Sequence, residues 1–316
     1  MLSSKSSPLF KQKIAKAIAD LRDATARAAW VQWGAIFTFP STRQRASAIV
    51  DPEALLLGSF AVSSQERRLP TVTYLWARYQ SSLLSVQRAK NLAARFPKGV
   101  QEELSRFALI ALHEGGDLRW RSLAAGSMKA TADTGRQKHG SPVLEGPGSI
   151  MLRLRLGLGV GIKPDAVAYL IGLAGARATV QGIAEATGYY ARAVRRGVEE
   201  LAAAGFVEPR PTAPASYRVD NRKWADLLAF DAKDPPAWRS WASFYAFVAA
   251  LSEWAVTLPD SDFVLASEAR DLLLKYGSAL EGSVRLPYIE GTTGEALLPL
   301  FMDALKACSE WAVGVV

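Results

Sequence analysis

The chain has 316 residues, of which 49% are hydrophobic and 22% are charged, and its formal net charge is +8. This composition is typical of a globular protein long enough for two or three domains, and it argues against a disordered chain. The single cysteine, Cys308, excludes an internal disulfide and fits a reducing cytoplasm, so we expect a cytoplasmic protein.

The positive charge is unevenly distributed along the chain. Residues 1–145 contain 21 Lys and Arg against 11 Asp and Glu, and residues 146–220 contain 9 against 6. Residues 221–316 reverse the balance, with 8 basic against 13 acidic residues. The N-terminal part is therefore expected to attract polyanions in a salt-dependent way, and the C-terminal part is expected to face away from them.

Residues 1–125 are predicted to form a basic helical domain. Apolar residues recur at helical spacing in several segments, and Asp51-Pro52 opens one of them with a capping residue followed by a proline suited to the first turn. The helical segments are 9–31, 53–64, 70–79, 82–96 and 101–113. The first 21 residues lack the apolar stretch of a secretory signal, and we expect no such signal there.

Residues 126–149 differ in composition, because Gly, Ser, Pro and Thr dominate and bulky apolar residues are few. A flexible linker or long loop is predicted. An alternative is a basic arm that becomes ordered on nucleic acid and uses Lys129, Arg136, Lys138 and His139. After this segment, residues 150–156 alternate Leu and Arg, which predicts a half-buried strand with Arg153 and Arg155 on one exposed face.

Residues 179–204 predict two helices joined by a tight turn. Thr179 can cap the first helix, and Gly188 can end it because glycine readily adopts a left-handed conformation. In the second helix Val194, Val198 and Leu201 form a buried stripe at helical spacing. The opposite face then carries four charged residues: Arg192, Arg195, Arg196 and Glu199.

The next residues predict a short β-hairpin. Gly205 ends the second helix, an extended segment begins at Phe206-Val207, and the residues from Pro209 to Ala215 are suited to a turn. Residues 216–220 alternate in the manner of a return strand. Residues 165–173 supply an apolar segment suited to a supporting helix before the pair.

The segments IAEATG and LAAAGFV flank the arginine-bearing helix, and the hairpin follows them. This arrangement resembles the winged helix-turn-helix domain of bacterial transcriptional regulators, in the broad group that includes the GntR and MarR types. The resemblance covers about residues 160–220. It implies that a recognition helix at about 190–204 enters the major groove of double-stranded DNA. The implied DNA-binding residues are Tyr190, Arg192, Arg195 and Arg196 in the helix, and Arg210 and Arg218 beside the wing tip.

The sequence departs from this pattern at four positions, and two of them, Ala191 and Ala193, leave part of the exposed helix face without a large side chain. Tyr190 stands where a Ser or Thr usually opens the second helix, and Gly197 costs that helix about 1 kcal/mol relative to Ala. Winged helices also serve as protein-interaction modules, so a second hypothesis remains open. In it the chain is a protein-interaction component, such as an antitoxin or an accessory subunit of a toxin or phage-defence system.

Residues 221–316 are predicted to form an acidic, aromatic-rich helical domain. The apolar segment 241–258 is barely long enough for a membrane span and contains Glu253, so we expect a buried helix and no membrane insertion. The apolar segment 295–311 is suited to a dimer helix. A homodimer is expected, because one module contacts only a few base pairs.

No motif for catalysis or cofactor binding is complete. Gly157, Gly159, Gly161 and Lys163 do not have the spacing of a phosphate-binding loop or a dinucleotide fingerprint. Asp260-Ser261-Asp262 has the form of a two-metal motif, but a helix-capping loop explains it more simply. The chain is therefore predicted to be no enzyme and to need no metal or cofactor. The predicted fold is mainly α, with a central winged helix-turn-helix domain (residues 150–220) between the two helical domains.

Overall fold

The computed structural model describes residues 9–38, 46–124, 140–280, 283–289 and 291–314. Within these ranges the chain is mainly helical, with thirteen α-helices, several short 3-10 helices and one small antiparallel sheet. The predicted mainly α fold with a small β component is confirmed at this level. Among the described residues, no helix combines the length and hydropathy that crossing a bilayer requires.

Five α-helices precede the middle of the chain, much as predicted. They are α1 (Leu9–Ile36), α2 (Pro52–Ala61), α3 (Arg68–Tyr79), α4 (Val86–Ala93) and α5 (Lys98–His113). Asp51 caps α2 as expected, because its Oδ1 accepts a hydrogen bond from the Ala54 backbone N–H at 3.0 Å. Ser85 caps α4 by accepting from the Arg88 backbone N–H at 3.3 Å.

The middle of the chain forms a helix and strand unit. Its elements are α6 (Ile150–Leu158), α7 (Ile162–Ile171), β1 (Ala178–Thr179), α8 (Val180–Thr187), α9 (Ala191–Ala203), β2 (Glu208–Arg210), β3 (Ser216–Arg218) and α10 (Asn221–Leu228). Thr179 caps α8 through a 3.1 Å bond from the Gly182 N–H, and Gly188 ends α8 with a φ of 75°. The sheet order is β1-β3-β2 and both pairings are antiparallel.

Three long helices complete the chain: α11 (Trp241–Trp254), α12 (Asp262–Leu280) and α13 (Leu297–Gly314). They share one hydrophobic core with α1–α5, in which α1 packs against α13 and α2 packs against α11. The close approach of α2 to α11 depends on Gly58, since a Cβ atom there would lie 2.3 Å from the ring of Tyr245. The sequence analysis predicts that these helices belong to two separate terminal domains. The structure instead joins them in one body, called here the helical body.

A second hydrophobic core lies in the middle of the chain. It is formed by residues of α6–α10 and of the sheet, with Ile49 from the helical body. The module defined by residues 150–228 therefore has its own core. Trp224 and Leu228 of α10 belong to this core, although both lie in the predicted C-terminal domain (residues 221–316).

The strand predicted at residues 150–156 is wrong, because these residues form α6. The prediction assumed that Arg153 and Arg155 lie on an exposed face. Arg155 is instead fully buried among carboxylates, and Arg153 donates to the backbone carbonyls of Leu227 and Leu228 at 2.8 and 2.7 Å. Alternation of Leu and Arg indicates a strand only when the charged residues face solvent, and here they do not.

Part of the segment predicted as a linker contacts the end of α1. The Thr38 N–H donates to the Ser141 carbonyl at 3.0 Å, and Pro142 forms an isolated β-bridge with Phe37. The Val50 N–H donates to the carbonyl of Gly148 at 3.2 Å. The residues of the alternative basic arm (Lys129, Arg136, Lys138 and His139) lie outside the described residues.

Candidate nucleic-acid interface

The exposed face of α9 is set by its buried stripe. Val194, Val198 and Leu201 are almost completely buried against the second core. Because residues three and four apart lie on one side of a helix, the stripe turns the opposite face of α9 to solvent. Three of the predicted DNA-binding residues share that exposed face: Arg192, Arg195 and Arg196.

Two consecutive tyrosines at the start of α9 have different environments. Tyr189 is buried, and its hydroxyl donates to Asp165 Oδ2 at 2.9 Å and lies 3.0 Å from Ser85 Oγ. Tyr190 occupies the N-cap position, makes no side-chain capping bond and is 71% exposed. Tyr189 thus fixes the beginning of the helix, and Tyr190 projects from it as a large free side chain.

Two of the six predicted residues are engaged in ion pairs. Arg196 Nε lies 2.9 Å from Glu200 Oε1, and Lys163 Nζ lies 2.8 Å from the other carboxylate oxygen. Hydrogen bonds from Lys163 and then Arg196 lower the pKa of Glu200. In the hairpin, Arg218 Nε lies 2.8 Å from Glu208 Oε2. Each pair occupies the Nε donor of its arginine, so an anionic partner either displaces the carboxylate or uses the remaining donors.

The other predicted arginines are not held in this way. Arg192, Arg195 and Arg210 are exposed, and within the described part of the chain none of them forms an ion pair. Arg192 and Arg195 are one turn apart on α9, and Arg210 ends β2 on the hairpin. These three guanidinium groups are the ones available to an anionic partner without rearrangement.

A groove lies beside the start of α9, with a volume of about 610 Å³. Its walls come from α9, from the loop between α6 and α7, and from α4 of the helical body. Gln87 and Asn91 of α4 line it, and Asn91 Nδ2 donates to the Gly188 carbonyl at 3.0 Å. Lys163 of α7 also lines it. The sequence interpretation missed Gln87 and Asn91, since α4 precedes α9 by about a hundred positions and nothing local links them.

A buried ionic cluster joins the helical body to the middle module. Arg88 of α4 donates to both carboxylate oxygens of Asp51 at 2.5 Å and to Glu53 Oε2 at 2.6 Å. Its Nε donates to the carbonyl of Thr187, the last residue of α8. One side chain of the body therefore bonds directly to the backbone that precedes α9.

Arg155 of α6 completes the cluster from the other side. It donates to both oxygens of Asp165 at 2.8 Å, to the two oxygens of Glu53 at 2.7 and 2.8 Å, and to the Leu83 carbonyl at 2.8 Å. Glu53 consequently bridges the two buried arginines. Its second partner on the body is the Ser85 backbone N–H, at 2.6 Å.

The protonation of the cluster follows from its charges, which are two guanidinium groups and three carboxylates. Burial would raise the pKa of Glu53, but Arg155 and Arg88 outweigh burial and lower it to about 2. Burial, with a smaller contribution from the Glu53 carboxylate, raises the pKa of Asp165 in spite of the same two arginines. Burial and Asp165 also raise the pKa of the Tyr189 hydroxyl, which therefore remains a neutral donor.

The motifs considered for catalysis have structural roles in the fold. Asp260 is exposed and pairs with Lys11 at 2.7 Å, while Asp262 is buried in the first turn of α12. Gly159 and Gly161 have φ values of 80° and 149° and form the joint between α6 and α7. Among the described residues, no group of three or more His, Cys, Asp or Glu side chains is arranged to hold a metal ion.

No protein-family model, curated protein or solved structure matches the chain.

Proposed function

We propose that the chain binds double-stranded DNA as a transcriptional regulator, through a winged helix-turn-helix domain within residues 150–220. The observation that carries the proposal is the element order α7-β1-α8-α9-β2-β3 with sheet order β1-β3-β2, combined with the exposed arginine face of α9. In a winged helix the second helix of the pair enters the major groove and the hairpin forms the wing.

In this proposal the two parts of the module contact different groups of the DNA. Arg192 and Arg195 lie in the first turns of α9, which approach base edges, and an arginine there can pair with both acceptors of a guanine. Tyr190 extends the same end of the helix. Arg196 contacts phosphate after it releases Glu200, and Arg210 and Arg218 contact the backbone or the minor groove beside the wing.

The buried ionic cluster supports a fixed orientation of the module. Arg88, Glu53 and Arg155 connect α2 and α4 of the helical body with α6, α7 and the end of α8. Buried charge pairs hold their partners in one geometry, because every other geometry leaves a charge unpaired. The basic N-terminal half of the body is therefore held beside the module, where it adds phosphate contacts to those of α9.

A homodimer is part of the proposal. One module contacts only a few base pairs, and a two-fold pair doubles the site with half-sites about one helical turn apart. Phe263 and Leu274 of α12 are both exposed, and they are separated by eleven residues, which is close to three turns of helix. The apolar segment 295–311, suited by its sequence to a dimer helix, is instead packed into the core of the helical body as α13, so these two exposed side chains of α12 are the candidate dimer contact. Sedimentation equilibrium of the protein and of Leu274→Asp tests it.

A protein-interaction role is the second candidate. The observation that favours it is Tyr190, which stands exposed at the rim of the groove between α9 and α4. Aromatic side chains beside an apolar groove are typical of the centre of a protein interface. Purification of the tagged protein from its native host, with a stoichiometric partner that is lost in Tyr190→Ala, would favour this role.

The test of the proposal is selection of bound duplexes from random DNA, followed by titration of the selected sequence by fluorescence anisotropy at several salt concentrations. We expect a pseudo-palindromic sequence that is bound at least about a thousandfold more tightly than its scrambled version. Equal and weak binding of all sequences, lost at moderate salt, would contradict a sequence-specific regulator and leave only non-specific attraction to phosphate.

A further inference from the structure

A second cavity lies between α8 and the helical body. Its volume is about 680 Å³, within the range of small-molecule sites. It is bounded by α8, the start of α11 and the end of α12. The basic and hydroxyl-bearing side chains that line it are Arg95, Tyr169, Arg239, Ser240, Ser243 and Ser278, and the acidic ones are Asp51 and Glu185.

The cavity contains cationic groups that lack partners. The Arg95 guanidinium is exposed to the cavity and makes no hydrogen bond or ion pair within the described residues, and Arg239 Nε is buried without a hydrogen-bond partner there. Partial burial and the nearby Arg88 guanidinium lower the pKa of Arg95, against the effect of Glu185. The buried Arg239 Nε costs free energy while it has no partner, and a bound acceptor recovers that cost.

The acidic groups of the wall compensate this charge only in part. Asp51 borders the cavity, but both of its oxygens already accept from Arg88. Glu185 also lines the cavity, and its Oε1 accepts from Gln181 at 2.7 Å. The cavity is thus left with two guanidinium groups against one further carboxylate.

The start of α11 adds to the positive potential. Ser240 occupies the N-cap position but its side chain makes no capping bond, and Trp241, Ala242 and Ser243 of the first turn line the cavity. The N-terminus of a helix carries partial positive charge and free backbone N–H groups, which favour an anion. Two arginines and a helix N-terminus therefore face the same space.

We infer that this cavity binds a small organic anion, whose carboxylate or phosphate group pairs with Arg95 and Arg239 and faces the first turn of α11. The ligand contacts Gly182, Glu185 and Ala186 of α8 as well as the helical body. Binding needs no DNA. Its effect on DNA affinity rests on the proposed function: a ligand that bridges α8 and α11 changes DNA affinity, and DNA changes ligand affinity by the same factor.

The test uses the DNA-free full chain and isothermal titration calorimetry. The probes are phenyl phosphate and benzoate, and the controls are neutral benzamide and cationic benzylamine at equal ionic strength. We expect at least one anionic probe to bind at millimolar concentration or below, with the stronger of the two identifying the anionic group. Arg95→Gln and Arg239→Gln should each weaken binding about tenfold, and Arg121→Gln, an exposed arginine away from the cavity, should not.

A second measurement requires no substitution. Phenylglyoxal modifies accessible arginines, and the bound probe should protect Arg95 and Arg239 while leaving Arg121 unprotected, as read by peptide mass spectrometry. Three results would overturn the inference: no binding of either anion, equal binding of benzamide, or unchanged affinity in both cavity variants. Because DNA is absent, none of them bears on the proposed DNA binding.

Discussion

Arg155→Met is the substitution that we expect to destabilise the fold most. The Arg155 guanidinium is fully buried and donates five hydrogen bonds, two to Asp165, two to Glu53 and one to the Leu83 carbonyl. Methionine keeps much of the volume but leaves the buried carboxylates with Arg88 alone. Removing one partner of a buried ion pair costs about 3–5 kcal/mol, a large part of the about 5–15 kcal/mol that stabilises a typical domain.

Urea unfolding followed by far-UV circular dichroism measures this loss. Arg153→Met on the same helix is the matched control, and it should cost less because Arg153 is only half-buried and its loss leaves two neutral carbonyls, rather than buried carboxylates, without their donor. Adding Asp165→Asn to Arg155→Met removes an unpaired charge, so the two effects should fall short of additivity by about 1–3 kcal/mol. A loss below about 1 kcal/mol for Arg155→Met, or strict additivity, would refute the argument.

Three further predictions concern the core and the cluster. Gly58→Ala should lower the free energy of unfolding by about 1–3 kcal/mol, because the added Cβ meets the Tyr245 ring. Gly99→Ala is the control, since a Cβ there lies in open space and should not lower it. Equal urea midpoints for the two variants would contradict this prediction. Burial raises the pKa of the Cys308 thiol to about 12, so Ellman's reagent should react only with unfolded protein, and fast reaction of the native chain would show otherwise. Burial raises the pKa of Glu53, but the two buried arginines outweigh burial and hold this pKa at about 2, below its value in the unfolded chain. The stability that the Glu53 carboxylate contributes is therefore lost as pH falls from about 4.3 towards 2. Glu53→Gln should flatten the pH dependence of stability in that window, and parallel curves would contradict the assignment.

Local features of the fold follow from the sequence. Asp51 and Thr179 occupy the N-cap positions expected of them, and Gly188 ends α8 in the left-handed conformation. The stripe of Val194 and Val198 correctly orients α9, so the exposure of its arginines is predictable as well. These features depend on residues within one or two turns, where periodicity and capping are decisive.

Features that depend on distant residues could not be predicted. Arg155 is buried because Glu53, 102 positions earlier, and Asp165 provide its counter-charges. With those carboxylates unassigned, a Leu and Arg alternation predicts a half-exposed strand, and this led to the wrong secondary structure at α6. The packing of α1 against α13 is equally non-local, and it explains why a division by charge separated helices that share one core.

The groove beside α9 shows the same limit within the candidate site. Gln87 and Asn91 of α4 reach it because Asn91 bonds to the Gly188 carbonyl and Leu92 packs where a Cβ on Gly188 would lie. Neither residue belongs to a recognisable motif. The position and exposed face of α9 were thus predictable from its own pattern, but its neighbours in the groove were not.

Binding of DNA through the exposed arginines of α9 can be tested by comparing two double variants with the unmodified chain. Fluorescence anisotropy with the selected duplex should compare the unmodified chain with Arg192→Ala plus Arg195→Ala. The control is Lys275→Ala plus Lys306→Ala, which removes the same charge from α12 and α13 in the acidic C-terminal region. Both variants should first be checked for unchanged circular dichroism.

A bidentate arginine contributes about 1–3 kcal/mol of discrimination, so the α9 pair should weaken binding at least about 30-fold and reduce the preference for the selected sequence. The control pair should change affinity by less than about threefold, since its charges lie away from the proposed interface. An α9 variant that binds the selected duplex as tightly as the control variant would contradict the account.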